Sequence, residues 1–153
     1  MKLLKYSLAI IFLAISVYLL VFRPFRVVMV IGESMTPTLH PYQLVVAYKT
    51  SNFKKGDVVI IDSIESDTLI KRIKYVPGDS YSYYIDYSGM LLLPDNKKDL
   101  YNFLQNHHNT KRVMNFEIKK DYYFVLGDNL NKSDDSRRFG PISKSYIKYK
   151  VIM

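Results

Sequence analysis

Two residues of this chain have the types and surroundings for nucleophilic chemistry, Ser34 and Lys71. Ser34 stands in Gly32-Glu33-Ser34-Met35-Thr36-Pro37-Thr38-Leu39, where Gly32 allows a close backbone approach and Pro37 stiffens the turn that follows. Such a setting exposes a hydroxyl at a fixed angle, although Ser, Thr, Pro and Gly are also the ordinary residues of a turn. A serine hydroxyl attacks a carbonyl only when a base takes its proton. Lys71 lies in Leu69-Ile70-Lys71-Arg72-Ile73-Lys74-Tyr75, which reads as a strand. Alternation puts Leu69, Lys71, Ile73 and Tyr75 on one face and Ile70, Arg72 and Lys74 on the other. Of the three basic residues, Lys71 is the one set among apolar neighbours. Burying an ammonium is costly, so a lysine in that position shifts down from its usual pKa of about 10.4 and serves as a neutral base.

Histidine is the commoner partner of a serine nucleophile. His40 sits in a turn before Pro41, and His107-His108 in a polar, Asn-rich segment. Surface solvation accounts for all three, and none has an evident carboxylate to orient it. That favours a Ser-Lys pair, a known variant of triad chemistry, over Ser-His-Asp. A third polar group follows an apolar strand: the loop Gly127 to Pro141 carries Asp128, Asn129, Ser133, Asp134, Asp135, Ser136, Arg137 and Arg138. Three readings stay open for it. It is a solvated loop of mixed charge, a cation site of D-x-N type, or a support in which a hydroxyl orients the lysine and an Asp–Arg pair fixes the loop. The glycine and closing-glutamate spacing of an EF-hand is missing.

The elements that must position these groups are set by composition and pattern. The chain has 153 residues, 48% hydrophobic and 24% charged, enough for one domain with a real core plus a membrane segment. Lys and Arg number 22 against 14 Asp and Glu, a formal charge of +8. The basic residues are spread out, with no Arg-rich run and no nucleic-acid motif, so an anionic lipid surface is the expected partner for that charge. With no cysteine, disulfides, thiolate catalysis and Cys-based zinc sites are excluded. Fourteen Tyr and eight Phe supply much of the core and favour strands.

Met1 to Lys5 is a short basic tail, and Tyr6 to Phe22 is uncharged. Seventeen residues span about 25 Å as a helix, near the lower limit for crossing hydrocarbon. A cleavable signal segment would be shorter and end at a small-x-small site. Arg23-Pro24-Phe25-Arg26 follows instead, which predicts a permanent anchor. Lys2 and Lys5 on one side face Arg23 and Arg26 on the other, so charge does not decide its orientation. Beyond the anchor, residues 23–153 are expected to form one domain. Val27 to Ile31 reads as a buried strand, with further strands at Gln43–Tyr48, Val58–Asp62 and Leu69–Val76. Residues 81–114 form an expected insertion: a hairpin over Tyr81–Leu93 turning at Ser88-Gly89, then a short helix over Asp95–Gln105. Glu117–Leu126 returns to strand character in Tyr122-Tyr123-Phe124-Val125-Leu126.

With these pieces in order the chain resembles the type I signal peptidases, membrane-anchored serine proteases, in their compact Gram-positive form. The matching blocks are Gly32 to Leu39, Lys55-Gly56-Asp57-Val58-Val59, Ile70-Lys71-Arg72-Ile73 with Pro77-Gly78-Asp79, and Gly127-Asp128-Asn129 with Ser133-Asp134-Asp135-Ser136-Arg137 and Phe139-Gly140. The resemblance implies a mostly β catalytic domain at the outer face of the cytoplasmic membrane, behind a single N-terminal transmembrane helix. It implies Ser34 as nucleophile and Lys71 as general base. Ser133 would hydrogen-bond the lysine, and Asp135 and Arg137, with Asp128 in support, would brace the loop. Val30, Ile31, Met35, Leu39, Leu69 and Ile70 match positions that line pockets for small residues, as in Ala-x-Ala before the cut. The partners implied are signal-peptide-bearing preproteins and the lipid bilayer, with no nucleic acid, metal or organic cofactor. In some members a second serine, two residues before the nucleophile, donates to the oxyanion. Here Gly32 holds that position, so the Ser34 N–H is the assigned donor and the second is open. Two rival readings are a self-cleaving repressor of Ser-Lys type, which would lack the anchor, and a tethered non-catalytic binder, which would have lost Ser34 or Lys71.

Overall fold

Helix α1 runs from Lys2 to Phe22, as expected for a run of Leu, Ile, Ala and Val with no glycine or proline inside it. The computed structural model describes residues 2–22, 24–62, 68–86, 89–92 and 113–153. Among the described residues no helix is long and apolar enough to cross a membrane. The part of α1 whose side chains are described, 6–19, reaches about 21 Å, and apart from Ser16 every side chain in it is exposed.

The rest of the described chain is mostly β. Seven antiparallel strands form the main sheet: β1 (Phe25–Met29), β2 (Leu44–Lys49), β3 (Val58–Asp62), β4 (Thr68–Tyr75), β8 (Tyr122–Leu126), β9 (Ile142–Ser143) and β10 (Ile147–Val151). Their order is β1-β2-β10-β3-β4-β8-β9. A second sheet, ordered β6-β5-β7, holds β5 (Ser80–Asp86), β6 (Gly89–Leu92) and β7 (Val113–Glu117). The four early strands lie where alternation and turn residues put them, to within a residue or two. Val27 to Ile31 is corrected: β1 is an edge strand, not a buried one, and Val27, Met29 and Ile31 are exposed. The strand character expected in Tyr122–Leu126 is found as β8. Glu117 ends β7 in the second sheet, a turn through Asp121 at φ 63° intervenes, and β8 begins at Tyr122. The expected 81–93 hairpin appears as β5 and β6. The expected turn at Ser88 and helix at 95–105 lie outside the described residues.

The core has three parts. One gathers Val30, Met35, Leu39, Val45, Ala47, Val58, Ile60 and Val151. A second gathers Phe53, Val59, Ile61, Ile73, Tyr123, Val125 and Ile147. The third is aromatic: Tyr81 of β5 stacks on Tyr75 of β4 at 5.1 Å and lies 4.6 Å from Phe124 of β8, fastening the small sheet to the large one. Strand β10, for which the sequence offered no strong signal, sits between β2 and β3 and completes the middle of the sheet.

Candidate active site

The loop after β1 is fastened before it reaches Ser34. Val30 N–H donates to the Gln43 carbonyl and Tyr42 N–H to the Val30 carbonyl, each at 2.8 Å. Gly32 turns the chain at φ 81°, a left-handed conformation that side chains rarely adopt, with open space where a Cβ would stand. The turn then closes on itself. The backbone N–H and the hydroxyl of Thr36 donate to the Glu33 carbonyl at 3.1 and 2.9 Å, and Leu39 N–H donates to the Met35 carbonyl at 2.9 Å. Met35 and Leu39 plug the turn into the core, leaving Ser34 half-buried at its tip. Among the described residues nothing accepts from the Ser34 backbone N–H.

Lys71 is the polar counterpart. It pairs across the sheet with fully buried Val59 and is itself 3% exposed. Its Nζ lies 3.0 Å from Ser34 Oγ. Burial pushes the amine below its usual range, while the carboxylates of Asp135 and Asp134 pull it partway back. The expectation of a lysine facing inward from β4 is met. Its meeting with Ser34 depends on the sheet. Strands β1 and β4 are separated by β2, β10 and β3, so in a flat sheet they would stand about 19 Å apart. Only a curled sheet closes that gap to a hydrogen bond.

The loop from Gly127 to Pro141 holds both partners from behind. It includes a short helix, α2 (Ser136–Phe139), capped by Asp135. The Asp135 carboxylate is buried and saturated: one oxygen accepts from Gly127 N–H at 3.0 Å, the other from Arg137 N–H and Nε at 3.2 and 2.8 Å. Burial alone would raise its pKa, but the bonds from Arg137 and Gly127 outweigh it and hold the carboxyl below its ordinary value. Arg137 also donates to the carbonyls of Leu130 and Ser133. Asp128 accepts two bonds of 2.7 Å from Arg72, a fork-to-fork pair. Arg72 reaches on to the Gly56 carbonyl and the Thr38 hydroxyl. The neighbour of Lys71 is thereby tied to the turn that carries Ser34. With Asp128 held by Arg72 and Asp135 by Arg137, the D-x-N cation reading loses its ligands. Among the described residues no group of three or more His, Cys, Asp and Glu could hold a metal ion. His40 is exposed, and His107 and His108 lie outside the described residues.

One expected contact is absent. Ser133 Oγ is buried and makes no hydrogen bond to Lys71; its hydroxyl acts instead on Asp135, helping to lower that carboxyl's pKa. Several residues not singled out by the sequence do hold the site. Asn129 N–H donates to the Ser34 carbonyl and its side-chain amide to the Thr36 hydroxyl, both at 3.0 Å. Buried Ser136 accepts from Val125 N–H at 3.0 Å. Gly127 is wedged so tightly that a Cβ there would stand 2.2 Å from Ser133 Oγ and 2.5 Å from the Ser34 carbonyl oxygen. Their only sequence signal is Gly-Asp-Asn directly after an apolar strand. Gly127→Ala is expected to lower unfolding free energy by about 1–3 kcal/mol, as overpacking does; urea titration against wild type measures it, and an unchanged midpoint would mean that the loop gives way freely.

A groove of about 610 Å³ opens onto the Ser34–Lys71 pair. Val30, Ile31, Met35, Leu69 and Ile70, all expected to touch substrate, line it, whereas Leu39 lies in the core and does not. The groove also runs outward to Arg26 and Thr68.

Comparison with known proteins places the chain among relatives. Residues 2–153 match the family described as signal peptidase, peptidase S26. Signal peptidase IB of Staphylococcus aureus (strain COL) is 35% identical over 140 residues, covering 78% of this chain and 72% of that protein. Signal peptidase I of Bacillus licheniformis is 32% identical over 150 residues, covering 88% of this chain and 77% of that protein. A crystal structure of a signal peptidase I from Enterococcus faecalis V583 superposes with a TM-score of 0.43 at 20% identity, covering 67% of this chain and 97% of that one.

Proposed function

Because the chain belongs to the signal peptidase family, peptidase S26, we propose that it is a membrane-held serine endopeptidase that removes N-terminal signal peptides from exported preproteins. The observation that carries this reading is the 3.0 Å contact between Ser34 Oγ and a buried lysine amine at the foot of an apolar groove. Lys71, neutral through burial, takes the Ser34 proton as the oxygen adds to the scissile carbonyl carbon. The developing oxyanion lies against the unengaged Ser34 N–H; Gly32 offers no side chain as a second donor. The Lys71 ammonium returns its proton to the leaving amine as the C–N bond breaks, leaving an ester on Ser34. Water then adds to that ester, giving a proton to Lys71, and the proton passes back to the Ser34 oxygen as it leaves. Asp135, Arg137 and Asp128 act on this sequence only by fixing the loop and β4. Ser133 belongs with them through its packing against Gly127.

The substrate would add as an extended segment along the free edge of β1. The apolar groove walls suit small side chains on alternate residues, as in Ala-x-Ala. Helix α1, uncharged from 6 to 22, is the membrane anchor in this reading, with residues 1–5 cytoplasmic and 23–153 outside. The outer face of β1 and β2 supports it. The register pairs Val27 with Val46 and Met29 with Leu44, and these, with Ile31 and Tyr42, are exposed, Ile31 at 82%. An exposed apolar patch this continuous marks a membrane or partner surface, and it begins five residues after α1 ends. A serine-directed acylating probe tests the assignment. It should label the wild-type protein and fail to label Ser34→Ala; equal labelling of both would sink it.

A further inference from the structure

The groove ends away from Ser34 at Arg26 and Thr68, and Arg26 is one half of an ion pair that the reaction does not use. Arg26 Nη1 donates to Asp62 Oδ1 at 2.8 Å, with both side chains about one-third exposed. The guanidinium also reaches the Thr68 hydroxyl at 3.5 Å and lies 5.6 Å over the Tyr149 ring, while Lys148 stands 3.7 Å from Asp62. Arg26 is thus held by three partners, Asp62, Thr68 and the Tyr149 ring. Between this pair and the reacting atoms the walls change character. Val28, Val30, Leu69 and Ile70 are apolar, whereas Arg26 and Thr68 are polar.

The spacing converts to substrate length. From Lys71 to Thr68 is three strand steps and from Val30 to Arg26 four, about 10 to 13 Å. An extended peptide covers that distance in three to four residues, and its side chains face the groove on alternate positions. If the residue whose carbonyl meets Ser34 is counted as the first before the cut, the first and third face the apolar wall and the fifth faces Arg26–Asp62. The direction follows from the chain itself, since Arg26 lies four residues beyond Phe22, the end of α1. The groove therefore leads from Ser34 back toward the anchor, where the apolar part of a signal segment would lie.

We propose that the Arg26–Asp62 pair is a specificity determinant that gauges the polar stretch between a signal peptide's apolar region and the cut. A small or hydrogen-bonding side chain at the fifth position leaves the pair hydrated. A leucine there takes water from the Arg26 end of the pair and gives no hydrogen bond in return, which is unfavourable. The inference rests on the signal peptidase reading, and the experiment separates the two. The full-length protein in detergent micelles is given peptides with alanine at the first and third positions before the cut and serine or leucine at the fifth. Wild type is expected to show kcat/KM about tenfold higher for serine than for leucine at the fifth position, with leucine at the fourth tolerated. In the double variant Arg26→Met/Asp62→Leu the difference should shrink to within about twofold. Equal rates for both fifth-position peptides in wild type, or a preference unchanged in the double variant, would overturn the gauge while leaving the peptidase intact. The wild-type comparison needs no variant to fold. If none of these peptides is cut at all, the functional reading itself fails.

Discussion

Ser34→Ala is expected to reduce kcat/KM for preprotein cleavage by at least about 10⁴-fold, the scale seen when a serine nucleophile is removed from a protease. The loss should be one of chemistry and not of folding. Ser34 is half-buried, and among the described residues its side chain makes one hydrogen bond, the 3.0 Å approach to Lys71. Its backbone is held independently: the carbonyl accepts from Asn129, and Met35 and Leu39 pin the turn in the core. Removing one oxygen leaves all of that in place. The thermal midpoint of the variant should stay within a few degrees of wild type while turnover of a preprotein reconstituted in vesicles disappears. Retained cleavage would remove Ser34 from the reaction.

The second large effect concerns Lys71 and has two signs. Its folded pKa is lowered, burial being the main cause. Only the neutral amine can accept the serine proton, so kcat/KM should rise with pH through that lowered pKa and level off well before the 10.5 of a free lysine. A profile that climbs only near the free value would contradict a buried base. Stability follows the same shift. Between the lowered folded pKa and 10.5 the unfolded chain holds the extra proton, so stability rises with pH across that window and is poorest below it. Lys71→Met keeps the bulk and removes the charge. It should abolish cleavage, flatten this pH dependence, and raise stability at neutral pH by roughly 1 kcal/mol. A buried base that is dispensable for stability and indispensable for turnover is the pattern of a functional residue. A Lys71→Met protein that unfolds more readily than wild type would show the amine to be structural instead.

The two effects meet in the curl of the main sheet. Nothing between Ser34 and Lys71 in the chain forces them together: they are 37 residues apart, on strands with three others between them. The contact exists because the curled sheet sets β1 and β4 on opposite sides of one groove. The Arg72–Asp128 pair and the two Asn129 bonds then lock the nucleophile turn, β4 and the 127–141 loop in one arrangement. Catalysis of this kind depends on positions held to a fraction of an ångström.

The reach of the sequence can be judged from particular residues. Lys71 was legible because it breaks a local rule, a lysine among apolar neighbours on one face of a strand; Ser34, in a run that also suits an ordinary turn, became a candidate through that lysine and the later polar loop. The strands up to Tyr75 were legible through two-residue periodicity, and the 6–22 helix through an uncharged run. Asp135 and Arg137 were picked out only through family resemblance, and the structure gives them a joint physical basis, a buried carboxylate that needs its guanidinium. What pattern could not supply was anything set by pairing between distant segments. It placed β1 inside, because a β-branched run looks buried, whereas pairing on one side only leaves β1 at the edge. It missed β10, whose partners β2 and β3 lie about 90 to 100 residues earlier. The family resemblance implied that Ser133 reaches Lys71, and pattern did not show that Gly127 must lack a side chain for Ser133 and the Ser34 carbonyl to approach one another. The sequence by itself determined which side chains have the chemistry, since that is a property of residue type and near neighbours. Only the tertiary structure decided that they meet, which bonds hold them and where the groove ends, because those follow from how a sheet curls and long-range strands pair.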